Sequence, residues 1–94
     1  MRIGIIGRHP ALLDTALDTA RASGHAPVGT TSDAEATAWI EAGRIEALVI
    51  GGGVEPESRA ALTAACTTSG VQVVDVFGPG HLRAALDSLG DAAR

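Results

Sequence analysis

The stretch Arg2-Ile3-Gly4-Ile5-Ile6-Gly7-Arg8-His9-Pro10 sets the reading of the whole chain. Ile3, Ile5 and Ile6 leave no polar alternation, so residues 2–6 read as a central strand buried on both faces. Gly7 ends the strand, and Pro10 falls where the first turn of a helix tolerates a missing N–H. The unit then recurs. Hydrophobic runs at Pro27–Thr30, Ile45–Ile50 and Val71–Phe77 are followed by Thr31-Ser32-Asp33, Gly51-Gly52-Gly53 and Gly78-Pro79-Gly80-His81, and each loop leads into helical spacing. Strands alternating with helices at this pitch imply parallel strands and right-handed crossovers, so the four loops open on one edge of one sheet. Open α/β sheets bind ligands at that edge.

The helical stretches supply the outer layers. Leu13, Ala16, Leu17 and Ala20 recur on one face of the first, with Leu12 widening the stripe and Gly24 ending it. Ser32 followed by Glu35 is a capping-box pattern opening the second, which runs to about Ala42 with Ala36 and Ile40 buried and Gly43 beyond its end. Trp39, one position off that stripe, is expected to flank the core or to meet a second subunit. Glu55-Pro56 opens the third helix, with Ala61, Leu62, Ala65 and Cys66 facing inward, and Leu82, Ala85, Leu86 and Leu89 mark a fourth. The expected architecture is a three-layer α/β sandwich: a doubly wound, four-stranded parallel sheet of order 2-1-3-4 carrying four helices. Pro27 suits an edge position for strand 2. Strand 4 would also be an edge, yet it is rich in valine, and a long apolar edge invites pairing that Gln72 and Asp75 would only partly blunt. A homodimer that pairs or buries strand 4 across a two-fold axis is therefore expected.

Composition narrows the function classes. The 94 residues suit one domain, residues 1–94. Apolar residues are 46% of the chain but aromatics only 2%, so alanine, valine, leucine and isoleucine must fill the core, as a thin sandwich allows. A formal charge of −4 repels a polyphosphate backbone, which argues against nucleic-acid binding. Cys66 is the single cysteine, so no intrachain disulfide can form. The first apolar run stops at Gly7, too short for a signal-peptide core or a membrane span, and a cytoplasmic setting is expected.

Three loops carry the candidate binding residues. Gly7, Arg8 and His9 lead into a helix N-terminus, where free amides and the helix dipole favour an anion, with Arg8 and His9 as further donors. The alternative is a tight turn with Arg8 and His9 solvated. Gly52 and Gly53 permit close backbone approach, of a ligand or of the neighbouring loop. Glu55 and Glu57 bring negative charge there and are more simply explained by the dipole of the third helix. Gly80 and His81 form a third glycine turn into a helix. A metal site built from His9, His81 and Asp33 or Glu55 lacks any motif spacing, so no metal is expected. Cys66 lies on an apolar face, no serine sits in a G-x-S-x-G elbow and tyrosine is absent, so no catalytic residue is assigned and the balance leans away from an enzyme.

The opening Arg2–Gly7 resembles that of Rossmann-type nucleotide-binding proteins, although His9 and Leu12, or Pro10, stand where their dinucleotide fingerprints need further glycines. The flavodoxin-like layout also resembles response-regulator receiver domains. Their acidic pair and phospho-acceptor aspartate are replaced here by Gly7-Arg8-His9 and Gly51-Gly52. Gly52–Pro56 together with Val76–Gly80 is similar to the last third of cobalamin-binding domains of the mutase type, with Gly7 and Leu12 replacing the aspartate and glycine that flank the histidine of their first loop. These resemblances imply a small Rossmann-like domain. The expectation is binding of a phosphorylated or carboxylated small molecule, nucleotides among the candidates, at Gly7, Arg8, His9, Gly52, Gly53, Gly80 and His81. The alternative is a non-catalytic homodimeric interaction module without a ligand.

Overall fold

Strands and helices alternate along residues 1–76, the part of the chain described by the computed structural model: β1 (Arg2–Ile6), α1 (Pro10–Ala22), β2 (Ala26–Thr30), α2 (Asp33–Glu41), β3 (Ala47–Ile50), α3 (Pro56–Ser69) and β4 (Gln72–Asp75). The four strands form one parallel sheet in the order β2-β1-β3-β4. Strand order and direction are those expected. Three helices are described against the four expected, because the fourth expected helix, over 82–89, lies outside the described residues.

The central strands are apolar on both faces because both faces are covered. Ile3, Ile5, Ala47 and Val49 pack on one side with Ala20, Leu13, Ala16 and Leu17 of α1. On the other, Ile6, Leu48 and Ile50 pack with Ala36 and Ile40 of α2 and Leu62 and Cys66 of α3. Each such aliphatic side chain, when fully buried, contributes roughly 1.5–3 kcal/mol. Only Ala47–Ile50 of the expected third strand is regular, since the ladder reaches its near end through Glu46, whose amide donates to Arg2 O at 2.8 Å and whose carboxylate accepts from the Arg2 amide at 2.7 Å. Likewise β4 occupies Gln72–Asp75 and not the whole of Val71–Phe77.

Two glycines inside strands set how closely the helices approach. A Cβ on Gly29 of β2 would lie 3.0 Å from Leu17 Cδ1 and 3.1 Å from Leu13 Cδ1, so α1 rests directly on the strand backbone. On the opposite face a Cβ on Gly4 of β1 would meet Ile45 Cδ1 at 3.0 Å and Trp39 Cε3 at 3.1 Å. Trp39 is thus part of the core flank, its ring seated over Gly4. Two helix positions differ from expectation. Leu12 is 62% exposed, because the 100° step per residue carries it off the Leu13–Leu17 line that sits on Gly29. Ala61 is exposed for the same reason, one step back from the Leu62–Cys66 line. Ser32 caps α2 as expected, its hydroxyl accepting from the Glu35 amide at 3.3 Å. Beyond each described helix stands a glycine with positive φ: Gly24, Gly43 and Gly70.

Candidate functional site

The loops after β1, β2 and β3 meet at the C-terminal edge of the sheet. The parallel ladder runs one step past the strands, with the Gly7 amide donating to Thr30 O at 3.1 Å and the Gly51 amide to Ile6 O at 2.9 Å. A Cβ on Gly51 would lie 3.2 Å from Ile6 O and 3.6 Å from Gly7 Cα, so at this glycine the close approach is made by the backbone at the end of β1.

Arg8 is the hub of the edge, partly exposed but paired through every guanidinium nitrogen. Its Nε donates to Glu55 Oε1 at 3.2 Å, and its Nη1 donates to Thr31 O at 2.6 Å. Its Nη2 reaches Asp33 Oδ1 at 2.7 Å, Glu55 Oε2 at 2.8 Å and Ser58 Oγ at 3.2 Å. Asp33 opens α2, Glu55 stands at the N-cap position of α3 and Ser58 lies in its first turn, so one guanidinium ties three loops together. Ser58 in turn donates to Asp33 Oδ2 at 2.5 Å. That bond, with Arg8 beside it, holds the Asp33 carboxyl below the ordinary carboxylate range. Glu55 is lowered as well, chiefly by its bonds to Arg8, and the two acids push Arg8 still further up. The sequence offers Asp33 and Glu55 only as members of a metal site that lacks motif spacing, and Glu55 as a partner of the third helix dipole, and it leaves Ser58 unmarked; the available signal was a serine three residues after Glu55, on the same side of one helical turn. Nearby, Arg59 of α3 donates to Gly51 O at 2.8 Å and pairs with Asp75 at the end of β4. Asp75 therefore turns toward α3.

On the α1 side of the same edge lies a cavity of about 450 Å³. Gly7, Arg8, His9, Gly52 and Gly53 line its mouth, and Leu12, Leu13, Ala16, Ile5, Val49 and Val76 line its body. Five of the seven expected site residues thus come together; Gly80 and His81 lie outside the described residues. The start of α1 differs from the other two described helix starts. Its first turn holds no acidic residue, whereas α2 has Asp33 and Glu35 and α3 has Glu57; His9, like Glu55 at the start of α3, makes no side-chain cap. The first turn-closing bond is Leu13 N to His9 O at 2.9 Å, which leaves the Ala11 and Leu12 amides without carbonyl partners inside the helix. The positive end of the α1 dipole therefore opens onto an apolar-walled cavity.

Other chemistry is sparse. Among the described residues no three His, Cys, Asp or Glu side chains are grouped to hold a metal ion. Cys66 is buried against the opposite face of the sheet, and burial pushes its thiol up, away from a reactive thiolate. No described helix is long and apolar enough to cross a membrane.

No family model matches the chain, and no curated protein matches it. Among solved structures it is similar to a de novo designed Rossmann 2x2 fold protein determined by solution NMR, with a TM-score of 0.74 at 14% identity over 99% of this chain and 89% of the designed one. At that identity the likeness shows the fold: a Rossmann-like α/β domain.

Proposed function

We propose that this Rossmann-like domain binds a small molecule with one anionic group, a carboxylate or phosphate monoester, without transforming it. The charged end would lie at the start of α1, near the amides of Ala11, Leu12, Gly52 and Gly53 and the His9 side chain, and the apolar body along Leu12, Ala16, Val49 and Val76. One observation carries this reading: the described helix start with no acidic residue in its first turn is the one that opens onto the cavity. A volume of about 450 Å³ falls in the lower part of the roughly 300–1,000 Å³ range of ligand pockets. The test is a melting-temperature screen of carboxylates, phosphate monoesters and nucleotides, followed by NMR titration. Binding should shift the amide signals of His9, Ala11, Leu12, Gly52 and Gly53. A screen that moves neither the melting temperature nor those amides overturns the proposal.

A second reading, a ligand-free homodimeric interaction module, is favoured by the edge position of β4, whose Val73 and Val74 are only half-buried. Sedimentation that returns a monomer mass at every concentration would remove it.

A further inference from the structure

Building on the binding reading above, we infer that the Arg8–Asp33–Glu55–Ser58 cluster is a charge filter at the cavity mouth, which admits ligands with one anionic group and turns away di- and polyphosphates. Arg8 belongs to both places. It lines the cavity, with Cβ 3.8 Å from where a Cβ on Gly53 would stand, while its guanidinium is spent on Thr31 O, Asp33, Glu55 and Ser58, which stand behind that lining. An arginine grips phosphate through parallel N–H donors, and here that fork already faces two carboxylates. One cation between two acids leaves the cluster with net negative charge, and both acids stay ionised at neutral pH because Arg8 and Ser58 favour their charged forms. The first anionic group of a ligand is served by the α1 amides, which no acid of the first turn competes for. A second phosphate would extend past Gly53 toward Glu55 and be repelled.

Calorimetry with octanoate and inorganic pyrophosphate tests this on the wild-type chain, E55Q, D33N/E55Q and R8Q/D33N/E55Q, each first checked for a cooperative melt. Octanoate affinity should stay within about threefold in E55Q and D33N/E55Q, because neither acid touches the proposed head-group position. Pyrophosphate affinity should rise at least about tenfold in D33N/E55Q, less in E55Q, and fall back when Arg8 is also replaced. Pyrophosphate binding to wild type as tight as octanoate, or no gain in either acid variant, overturns the filter whatever octanoate does. E55Q, which leaves Asp33 bonded to Arg8 and Ser58, serves if the double variant does not fold. An Arg8-dependent pyrophosphate gain without any octanoate binding supports the filter and overturns the ligand class proposed above.

Discussion

Replacing Gly4 by valine probes the contact on which α2 rests. The backbone at Gly4 lies outside the left-handed region, so any penalty comes from crowding alone. A Cβ there meets Ile45 Cδ1 at 3.0 Å, Trp39 Cε3 at 3.1 Å and Leu48 Cδ1 at 3.3 Å, three side chains closing on one point. With alanine, the crowding is offset by the roughly 0.5–1 kcal/mol that a strand gains when glycine is replaced, and the net change should stay within about 1 kcal/mol. Valine adds two methyl groups against walls that are already in contact, and overpacking of this kind costs about 1–3 kcal/mol. Valine should therefore destabilise by about 2 kcal/mol, a fall of roughly 8–16 °C in melting temperature for a domain of this size. Urea and thermal unfolding followed by far-UV circular dichroism measures it. Because Trp39 is the partly exposed wall, the valine penalty should shrink by about 1 kcal/mol or more in a Trp39→Leu background, as contacting residues couple in a double-mutant cycle. A G4V midpoint equal to wild type, or a penalty indifferent to Trp39, would refute the assignment of Trp39 to the Gly4 seat.

Two further outcomes follow from the titrating groups. Asp33 and Glu55 are held below their ordinary values, so the stability they contribute is present at neutral pH and is lost as pH falls through the ordinary carboxylate range toward those lowered values. Wild type should thus lose more melting temperature between about pH 7 and pH 3 than Arg8→Met does, with the Ser58 bond preserving part of the dependence in the variant; identical pH profiles would dissolve the hub. Cys66, buried with its thiol pushed up, should resist a thiol-disulfide reagent in native buffer and react only once denaturant opens the core; prompt stoichiometric labelling of the folded protein contradicts its placement.

The fold was legible because its signals are local and repeated. The runs at Arg2–Ile6 and Ala47–Ile50 are apolar on both faces, which fits central strands of a parallel sheet, although the valine-rich β4 at the edge shows that the order came from the doubly wound arrangement and not from apolarity alone. Ser32, Pro10 and Pro56 mark the helix starts by chemistry confined to one turn. What periodicity misplaced is the edge of each stripe. Leu12 and Leu13 are equally apolar, and the choice between them is made by Gly29, a residue on another strand that lets Leu13 and Leu17 settle and turns Leu12 out. Spacing places Trp39 as a core flank or a subunit contact, and what it does not reveal is the seat of the ring, the space made by the missing side chain of Gly4, 35 positions away in the chain.

The site was harder to read than the fold because its partners are set by topology and not by spacing. Arg8 meets Asp33 25 residues on and Glu55 47 residues on, and nothing local to Gly7-Arg8-His9 distinguishes a cation waiting for a ligand from one already paired. The deciding fact is the parallel sheet itself. It delivers every helix start to one edge, so acids that sit at the starts of α2 and α3, where the helix dipoles favour them, also surround whatever cation the first loop supplies. The same arrangement spares α1, which opens with Pro10-Ala11-Leu12 and no acid. Charge on this edge is thereby sorted: the guanidinium is shared by two carboxylates, which leaves net negative charge on the side of α2 and α3, and the positive end of α1, with no acid in its first turn, faces the cavity. On the binding proposal, a ligand at this edge would be drawn by backbone amides, so that the glycines and the acid-free first turn of α1, more than the arginine between them, would set what the cavity holds.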